Sequence, residues 1–102
     1  MMLVIEIYNI LKQAQLVSTL EEYSTQWLNK HKTTASYLIH KKRDLSVNAK
    51  INCLKNINKK IVEFETNNFV KDLNKENIFY LSEILSLIQK SIKSKFQIET
   101  LI

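Results

Sequence analysis

Apolar residues recur along most of this chain at intervals of three and four, the period of a helix with one buried face. Short polar stretches divide the pattern into five segments, which predict helices over about 2–16, 19–28, 33–43, 47–64 and 75–96. The chain contains no Gly and no Pro, on which hairpin turns depend. The pattern therefore predicts an all-α fold in one domain over 1–102, a compact bundle of about five helices with a long C-terminal helix.

Polar residues before these segments predict where the helices begin. Ser18 and Glu21 have the spacing of a capping box, in which each side chain accepts a hydrogen bond from a free amide of a new helix. Single residues are expected to cap the later helices: Thr33 or Thr34 the third, Ser46 the fourth and Asn74 the last.

Each of the first four predicted helices carries a stripe of residues that we expect to face a common core. In the first three helices the stripes are Leu3, Ile7, Ile10, Leu11 and Ala14; Leu20, Tyr23, Ser24, Trp27 and Leu28; and Ala35, Leu38, Ile39 and the stem of Lys42. In the fourth helix the stripe is Val47, Ile51, Leu54, Ile57, Ile61 and Phe64. Trp27 is expected to anchor the second helix, and the single cysteine, Cys53, to be a small buried residue. Residues 65–74 are less regular, and Phe69, Val70 and Leu73 there indicate one helical turn or a packed loop.

The apolar residues of the last predicted helix are spaced 3, 4, 3 and 4 apart. They are Ile78, Leu81, Leu85, Ile88 and Ile92, and Ile84, Leu87 and Phe96 widen the stripe. Such a stripe suits a helix that packs on its own core and equally a helix that pairs with a second copy of the chain. With both arrangements open, we predict a homodimer whose interface is formed by the five residues of that spacing.

The charges of the chain are strongly polarised. Residues 29–60 carry nine basic side chains against the single acid Asp44, a charge of +8, whereas residues 1–28 and 61–102 are both net negative. The nine are Lys30, Lys32, Lys41, Lys42, Arg43, Lys50, Lys55, Lys59 and Lys60. A basic segment of this density is typical of a surface that meets phosphate.

Three pieces of sequence in this region carry a resemblance to known proteins: Glu21 to Asn29, Ala35 to Leu38, and Leu45 to Leu54. They resemble the lambda-repressor-like, Cro/XRE-type helix-turn-helix family. They are also similar to a small uncharacterised bacterial and phage family with a Glu-[Phe/Tyr]-Ser-x-x-Trp-Leu segment followed by Ser-Tyr. The resemblance implies a helix-turn-helix core over about 18–62 and a C-terminal helical extension over about 66–98. In the Cro/XRE family the second helix of the pair enters the major groove and the first braces it, which would make 33–43 the recognition helix.

The chain differs from the Cro/XRE pattern at two places. The family usually has Gly or a small polar residue directly after the first helix; here Asn29 stands near the Gly position, and the turn is two or three residues longer than the usual three. Lys41 stands where an apolar core residue is expected. Either the third helix is rotated so that Ile39 fills that place, or the likeness is superficial.

The candidate DNA-binding residues lie on the polar side of the third helix and beside it. We expect phosphate contacts from Lys32, Thr33, Thr34 and Lys41, and contacts with base edges from Ser36, Tyr37 and His40. Arg43 is a further DNA-binding candidate. Tyr37 could equally be a core residue beside Leu38, and His40 a solvated surface residue.

Other functions have less support in the sequence. A metal site needs several ligands close together, and the sequence offers only His31, His40 and the distant Cys53. We therefore expect no metal and no cofactor. Without Gly there can be no nucleophile elbow or Gly-rich phosphate loop, and no Ser/His/Asp set or carboxylate pair converges in the basic segment, so we do not expect an enzyme. The start of the chain lacks a signal-peptide pattern, and no apolar run reaches the ~20 residues that cross a bilayer. We therefore expect a cytoplasmic protein.

These observations predict a sequence-specific double-stranded DNA-binding protein, a small transcriptional regulator of bacterial or phage origin that acts as a homodimer. The alternative is a helical protein-interaction module, an adaptor or inhibitor, that docks an acidic partner without binding DNA. The two differ in salt dependence, because phosphate contacts weaken steeply as salt rises and an apolar docking surface does not.

Overall fold

The computed structural model describes residues 2–66 and 71–100, with side chains described for 2–66 and 75–93. The regular structure in these ranges is entirely helical: α1 (Leu3–Gln13), α2 (Leu20–Glu22, continued by a π-helical turn over Tyr23–Trp27), α3 (Thr34–His40), α4 (Val47–Thr66) and α5 (Lys71–Thr100). The predicted all-α fold of about five helices is confirmed. None of the helices in the described ranges is long and apolar enough to cross a membrane.

One hydrophobic core joins the helices. α5 packs against α4 and α1, while α2 with its π-helical turn packs against α3 and α4. The large side chains that are fully buried come from four of the five helices and the residue after α2: Val4, Ile7, Leu11, Tyr23, Leu28, Ile57, Leu81, Ile84 and Ile88. Trp27 is only 4% exposed, as expected for the anchor of α2. Removing a side chain of this size from a packed core costs roughly 3–5 kcal/mol.

The apolar stripe of α5 faces the core of its own chain. Leu81 and Ile88, two of the residues predicted to meet a second copy, are fully buried there, and Leu85 packs against the same core. Ile78 and Ile92 are half-buried. The 3-4-3-4 spacing therefore reflects packing of α5 on the core of its own chain. The stripe that was predicted to meet a second copy is covered within one chain.

The start of α5 differs from the prediction. The helix begins at Lys71, so Asn74 lies inside its first turn and the prediction that Asn74 caps it is wrong. The periodicity placed the start too late because residues 71–74 contribute a single apolar position. Phe69 and Val70 lie outside the described residues, as do the side chains of Leu73 and Phe96.

The buried face of α4 agrees only in part with the predicted one. Ala49, Cys53 and Ile57 are buried, whereas Ile51 is 38% exposed and Val47 is half-buried, so the inward assignment of Ile51 is wrong. Ile57 is fully buried and Leu54, Ile61 and Phe64 pack against the core, as predicted, but the periodicity did not register Ala49 or the asparagines that meet α2. The predicted cap is confirmed: the Ser46 hydroxyl accepts a hydrogen bond from Ala49 N at 3.1 Å.

The capping box of α2 lies one residue later than predicted. Thr19 Oγ1, not the Ser18 hydroxyl, accepts from Glu22 N at 3.1 Å. Glu22 Oε2, not the Glu21 carboxylate, closes the box by accepting from Ser18 N at 3.2 Å. Two adjacent hydroxyl residues followed by two adjacent acids give the same pattern in either register, and the sequence alone does not choose between them.

Two helices, α1 and α3, end with the same pair of backbone hydrogen bonds around a residue in the left-handed region that normally suits Gly. α1 stops at Gln13, short of the predicted residue 16, and Gln15 has φ 61° while Leu16 N donates to Leu11 O and Gln15 N to Lys12 O. This pair of bonds is a Schellman motif. Because the chain has no Gly, Gln15 occupies the position at a steric cost.

Candidate nucleic-acid interface

The turn between α2 and α3 begins at a residue with left-handed backbone. Asn29 has φ 53°, and it stands near the place where the sequence resemblance expects Gly. Asparagine tolerates this conformation better than most residues that carry a Cβ. The chain thus makes a sharp turn after α2 without Gly, and Lys30 N donates to Ser24 O at 2.9 Å to close it.

A buried serine ties α3 to α2. Ser24 is fully buried, its Oγ accepts from Ala35 N at 2.9 Å and its hydroxyl donates to Leu20 O at 2.9 Å. Ala35 N is one of the free amides in the first turn of α3 and would be unsatisfied without Ser24. Ser24 therefore sets the position of α3 relative to α2.

The second half of α2 is widened into a π-helical turn. Leu28 N donates to Tyr23 O, five residues earlier, at 3.2 Å. The hydroxyls of Ser24 and Thr25 donate to carbonyls four residues earlier, a pattern that loosens and bends helices. In the widened turn Tyr23, Ser24, Trp27 and Leu28 all reach the core.

Three asparagines on α4 hold the end of α2 in place. Asn52 Nδ2 donates to Leu28 O at 3.0 Å, and Asn56 Nδ2 donates to Trp27 O at 3.0 Å and to Asn29 Oδ1 at 3.1 Å. Asn48 Oδ1 accepts from Asn52 Nδ2 and from Lys30 Nζ. The sequence reasoning missed these residues, although their spacing of four, which puts them on one helical face, was visible in the sequence.

α3 presents its polar face to solvent as predicted. Ala35 is buried, and Leu38 and Ile39 are half-buried against the core. The candidate residues Thr33, Ser36, Tyr37, His40 and Lys41 are exposed. Tyr37 is 50% exposed, which decides between its two predicted roles in favour of the outward one.

The beginning of α3 is capped by residues other than the predicted threonines. Thr33 is the N-cap by position, but its side chain makes no capping bond, and Thr34 is half-buried in the first turn. His31 Nδ1 accepts from Thr33 N at 3.3 Å and lies 2.9 Å from Thr33 Oγ1, which in the neutral ring leaves the proton on Nε2. The Ser36 hydroxyl donates to Thr33 O at 3.0 Å and must turn away to contact a base.

α3 ends three residues before the predicted limit. It stops at His40, and Arg43 N donates to Leu38 O at 2.8 Å while Lys42 N donates to Ile39 O at 3.2 Å. This second Schellman motif places Lys42 at φ 55° with an exposed side chain, so the prediction that its stem faces the core is wrong. Arg43 lies beyond the helix, also exposed.

The single acid of the basic segment is engaged elsewhere. Asp44 Oδ2 accepts from Leu3 N at 2.9 Å, and Asp44 Oδ1 accepts from Val4 N at 2.9 Å and from Leu45 N at 2.8 Å. Its carboxylate thus caps the N-terminus of α1, where the helix dipole favours negative charge. In the described part of the chain the side chains of Lys32, Lys41 and Arg43 form no ion pair or hydrogen bond. Their charges therefore have no partner there.

Neither a cluster of metal ligands nor an exposed thiol occurs in the ranges that the structure describes. No three His, Cys, Asp or Glu side chains there lie close enough together to hold a metal ion. Cys53 is fully buried, as predicted, and burial raises the pKa of its thiol to about 12, which keeps it protonated and unreactive near neutral pH.

The chain belongs to a family of unknown function, DUF6626, whose sequence profile matches residues 4–99. Comparison with curated proteins and with solved structures gives no match. The match extends from the first turn of α1 to the last turn of α5. Neither the family description nor these comparisons bears on the likeness to the Cro/XRE family.

Proposed function

We propose that this member of DUF6626 binds double-stranded DNA through the exposed face of α3, as a small sequence-specific transcriptional regulator of bacterial or phage origin. The observation that carries the proposal is the exposed polar face of α3 at the centre of a segment of charge +8, whose one acid is bound to the start of α1. Because Asp44 is engaged there, the nearby lysines are left to attract phosphate.

The individual roles follow from where each side chain lies. Lys32, Lys41 and Arg43 flank α3, are exposed and would neutralise backbone phosphates on either side of it. Tyr37 and His40 lie on the outward face of the helix together with Ser36, and would reach base edges. Thr33 and Thr34, in the first turn, would contact the phosphate backbone through hydroxyl groups.

The geometry around α3 suits this role. The helix has seven residues, a length of about 10 Å at 1.5 Å per residue, and its N-terminal part would enter a major groove about 12 Å wide. α2 is fixed to it by Ser24 and to α4 by Asn52 and Asn56, so a rigid frame supports the contact. The likeness to the Cro/XRE family supports the same placement.

A recognition helix this short offers few base contacts. A second copy bound to a second half-site would supply the missing affinity, so a homodimer stays a prediction. Because Leu81 and Ile88 are committed to the core, such a dimer would have to use a surface other than the predicted seam. Light scattering at high micromolar concentration tests it, and a monomer would remove the claim.

The proposal is tested by titrating the folded protein with labelled duplex DNA at a series of salt concentrations, after selection of bound fragments from random duplexes. We expect the logarithm of affinity to fall linearly with the logarithm of salt, with a slope of about 0.9 for each phosphate contact. Selected fragments should bind more tightly than random ones of equal length. If the folded protein binds no duplex at low salt, the proposal is wrong.

That outcome would favour the alternative, a protein-interaction module. The interaction module is supported by two exposed apolar side chains outside the basic segment 29–60. Val62 on α4 is 58% exposed and Phe79 on α5 is 61% exposed. Isolated exposed apolar residues are common on monomers, so this support is weaker than that of the basic face.

A further inference from the structure

A pocket of about 250 Å³ lies between the end of α2 and the second half of α4. Leu16 and Trp27 form its apolar wall, and Gln26, Lys59 and Lys60 belong to its polar lining. None of the residues assigned above to DNA contacts lines it. The volume is below that of most pockets for drug-sized ligands, so an occupant would be small.

The charges in the lining leave one cation available. Glu63 also lines the pocket, but its carboxylate lies 3.4 Å from Lys60 Nζ and is neutralised by it. Lys59 is exposed, and its side chain forms no ion pair or hydrogen bond within the ranges that the structure describes. The pocket therefore attracts anions.

A buried donor in the same wall has no acceptor. Trp27 Nε1 is shielded from solvent, and no acceptor lies within hydrogen-bond distance of it among the described residues. A buried N–H of this kind is unfavourable, and nearly all such groups in folded proteins have a partner. The indole N–H, the Lys59 ammonium and the Gln26 amide together make a set of donors that suits a ligand rich in oxygen acceptors.

We infer that this pocket binds a small oxyanion, a carboxylate or a phosphate, whose oxygens accept from Lys59 and from Trp27 Nε1. The site is independent of the DNA-binding proposal. The indole N–H is shielded from solvent in the present structure, so its contact with the anion requires a lining side chain to move. A charge-assisted bond from Lys59 then holds the ligand at the mouth of the pocket.

Trp27 is the only tryptophan of the chain, so its fluorescence reports on the pocket directly. The full-length protein is titrated with inorganic phosphate and, separately, with citrate, each at constant ionic strength maintained with potassium chloride. The Nε1–H resonance of Trp27 is followed by NMR in the same titrations. We expect a saturable change in both signals with at least one of the two anions and none with chloride.

Lys59→Gln should weaken the binding about tenfold or more, since it removes a charge-assisted hydrogen bond. Lys55→Gln is the matched control, because Lys55 is exposed on the same helix one turn earlier and does not line the pocket. Saturation by phosphate alone or by citrate alone identifies the anion class. The inference is overturned if neither anion gives a saturable change, or if the two variants bind equally well.

Discussion

The carboxylate of Asp44 caps the helix that begins at Leu3, accepting from Leu3 N at 2.9 Å across 41 positions of sequence. The link joins the end of the basic segment to the start of the chain. It satisfies two free amides of α1, those of Leu3 and Val4, with one side chain. It also holds the only acid of the basic segment against backbone amides instead of against one of the lysines of that segment.

Replacing Asp44 tests separately its effect on the stability of α1 and its effect on the charge of the basic segment. Asp44→Ala should lower the free energy of unfolding by about 1–2 kcal/mol, because α1 loses its cap. The same change raises the charge of the basic segment by one and should not weaken DNA binding. Glu83→Ala removes an equally exposed acid from α5 and serves as the control, with an expected effect within about 0.5 kcal/mol. Urea denaturation of the three proteins measures the difference, and equal midpoints would contradict the capping role.

Ser24→Ala should destabilise the chain by about 1–3 kcal/mol, because it leaves the buried Ala35 N without an acceptor. The amide of Ala35 should exchange with solvent faster in the variant as α3 loosens. Thr25→Ala is the control. The Thr25 hydroxyl donates to Glu21 O on an exposed surface, just as the Ser24 hydroxyl donates to Leu20 O, but Thr25 makes no bond to α3. If both variants lose equal stability, Ser24 has no special role in holding α3.

The sequence predicted most of the fold because apolar periodicity is a strong signal in helices with one buried side. The prediction failed where small or polar side chains make the packing contacts, because apolar periodicity takes no account of them. The face of α4 is set by Ala49 and by asparagines that bond to Trp27 O and Leu28 O, and no apolar count registers these contacts.

For the candidate site, the exposed side of α3 was predictable from spacing, but its ends were not. The helix stops at His40 because Lys42 adopts a left-handed conformation, and a lysine gives no warning of this. The engagement of Asp44 was equally hidden, since a hydrogen bond between residues 41 positions apart depends on the tertiary fold.

The left-handed position after α1 gives a test of the Schellman motif. Gln15→Gly should stabilise the protein by about 1 kcal/mol, because Gly adopts φ 61° without a Cβ clash. Gln13→Gly, two residues earlier at the last residue of α1, has helical backbone and should instead destabilise the protein, by at most about 1 kcal/mol. Opposite shifts in thermal midpoint for the two variants are expected, and a loss of stability in both would contradict the assigned end of α1.

Burial of Cys53 predicts a loss of stability in mild alkali. Its pKa is raised by desolvation from the ordinary value of 9.0 to about 12, so above pH 9 the unfolded chain releases a proton that the folded chain keeps. Stability is therefore unaffected by this group below pH 9 and falls by about 1.4 kcal/mol for each pH unit above it. Cys53→Ala should lack this part of the decline between about pH 9 and pH 10, as followed by urea denaturation. A decline equal to that of the wild type would show that the thiol is accessible.

The side chains around α3 should divide into two classes when DNA binding is measured. Lys32→Ala and Lys41→Ala should weaken binding to all duplexes alike and reduce the salt slope by about one unit each. His40→Ala should reduce the binding free energy by about 1–3 kcal/mol on the preferred sequence and by little on random DNA. The same is expected of Ser36→Ala if the Ser36 hydroxyl turns outward.

The Tyr37 hydroxyl offers a test of whether α3 contacts base edges. Its ring is half exposed, so removing the hydroxyl in Tyr37→Phe should leave the thermal midpoint unchanged and weaken only the binding of preferred DNA. The variant keeps the aromatic ring and removes only the hydroxyl, so any change in DNA binding is due to that one hydrogen-bonding group. Tyr8→Phe, which alters a half-buried tyrosine on α1 away from this face, is the control and should bind DNA like the wild type. If Tyr37→Phe binds both kinds of duplex as well as the wild type, the hydroxyl does not read a base, and the preference for sequence must come from Ser36 and His40.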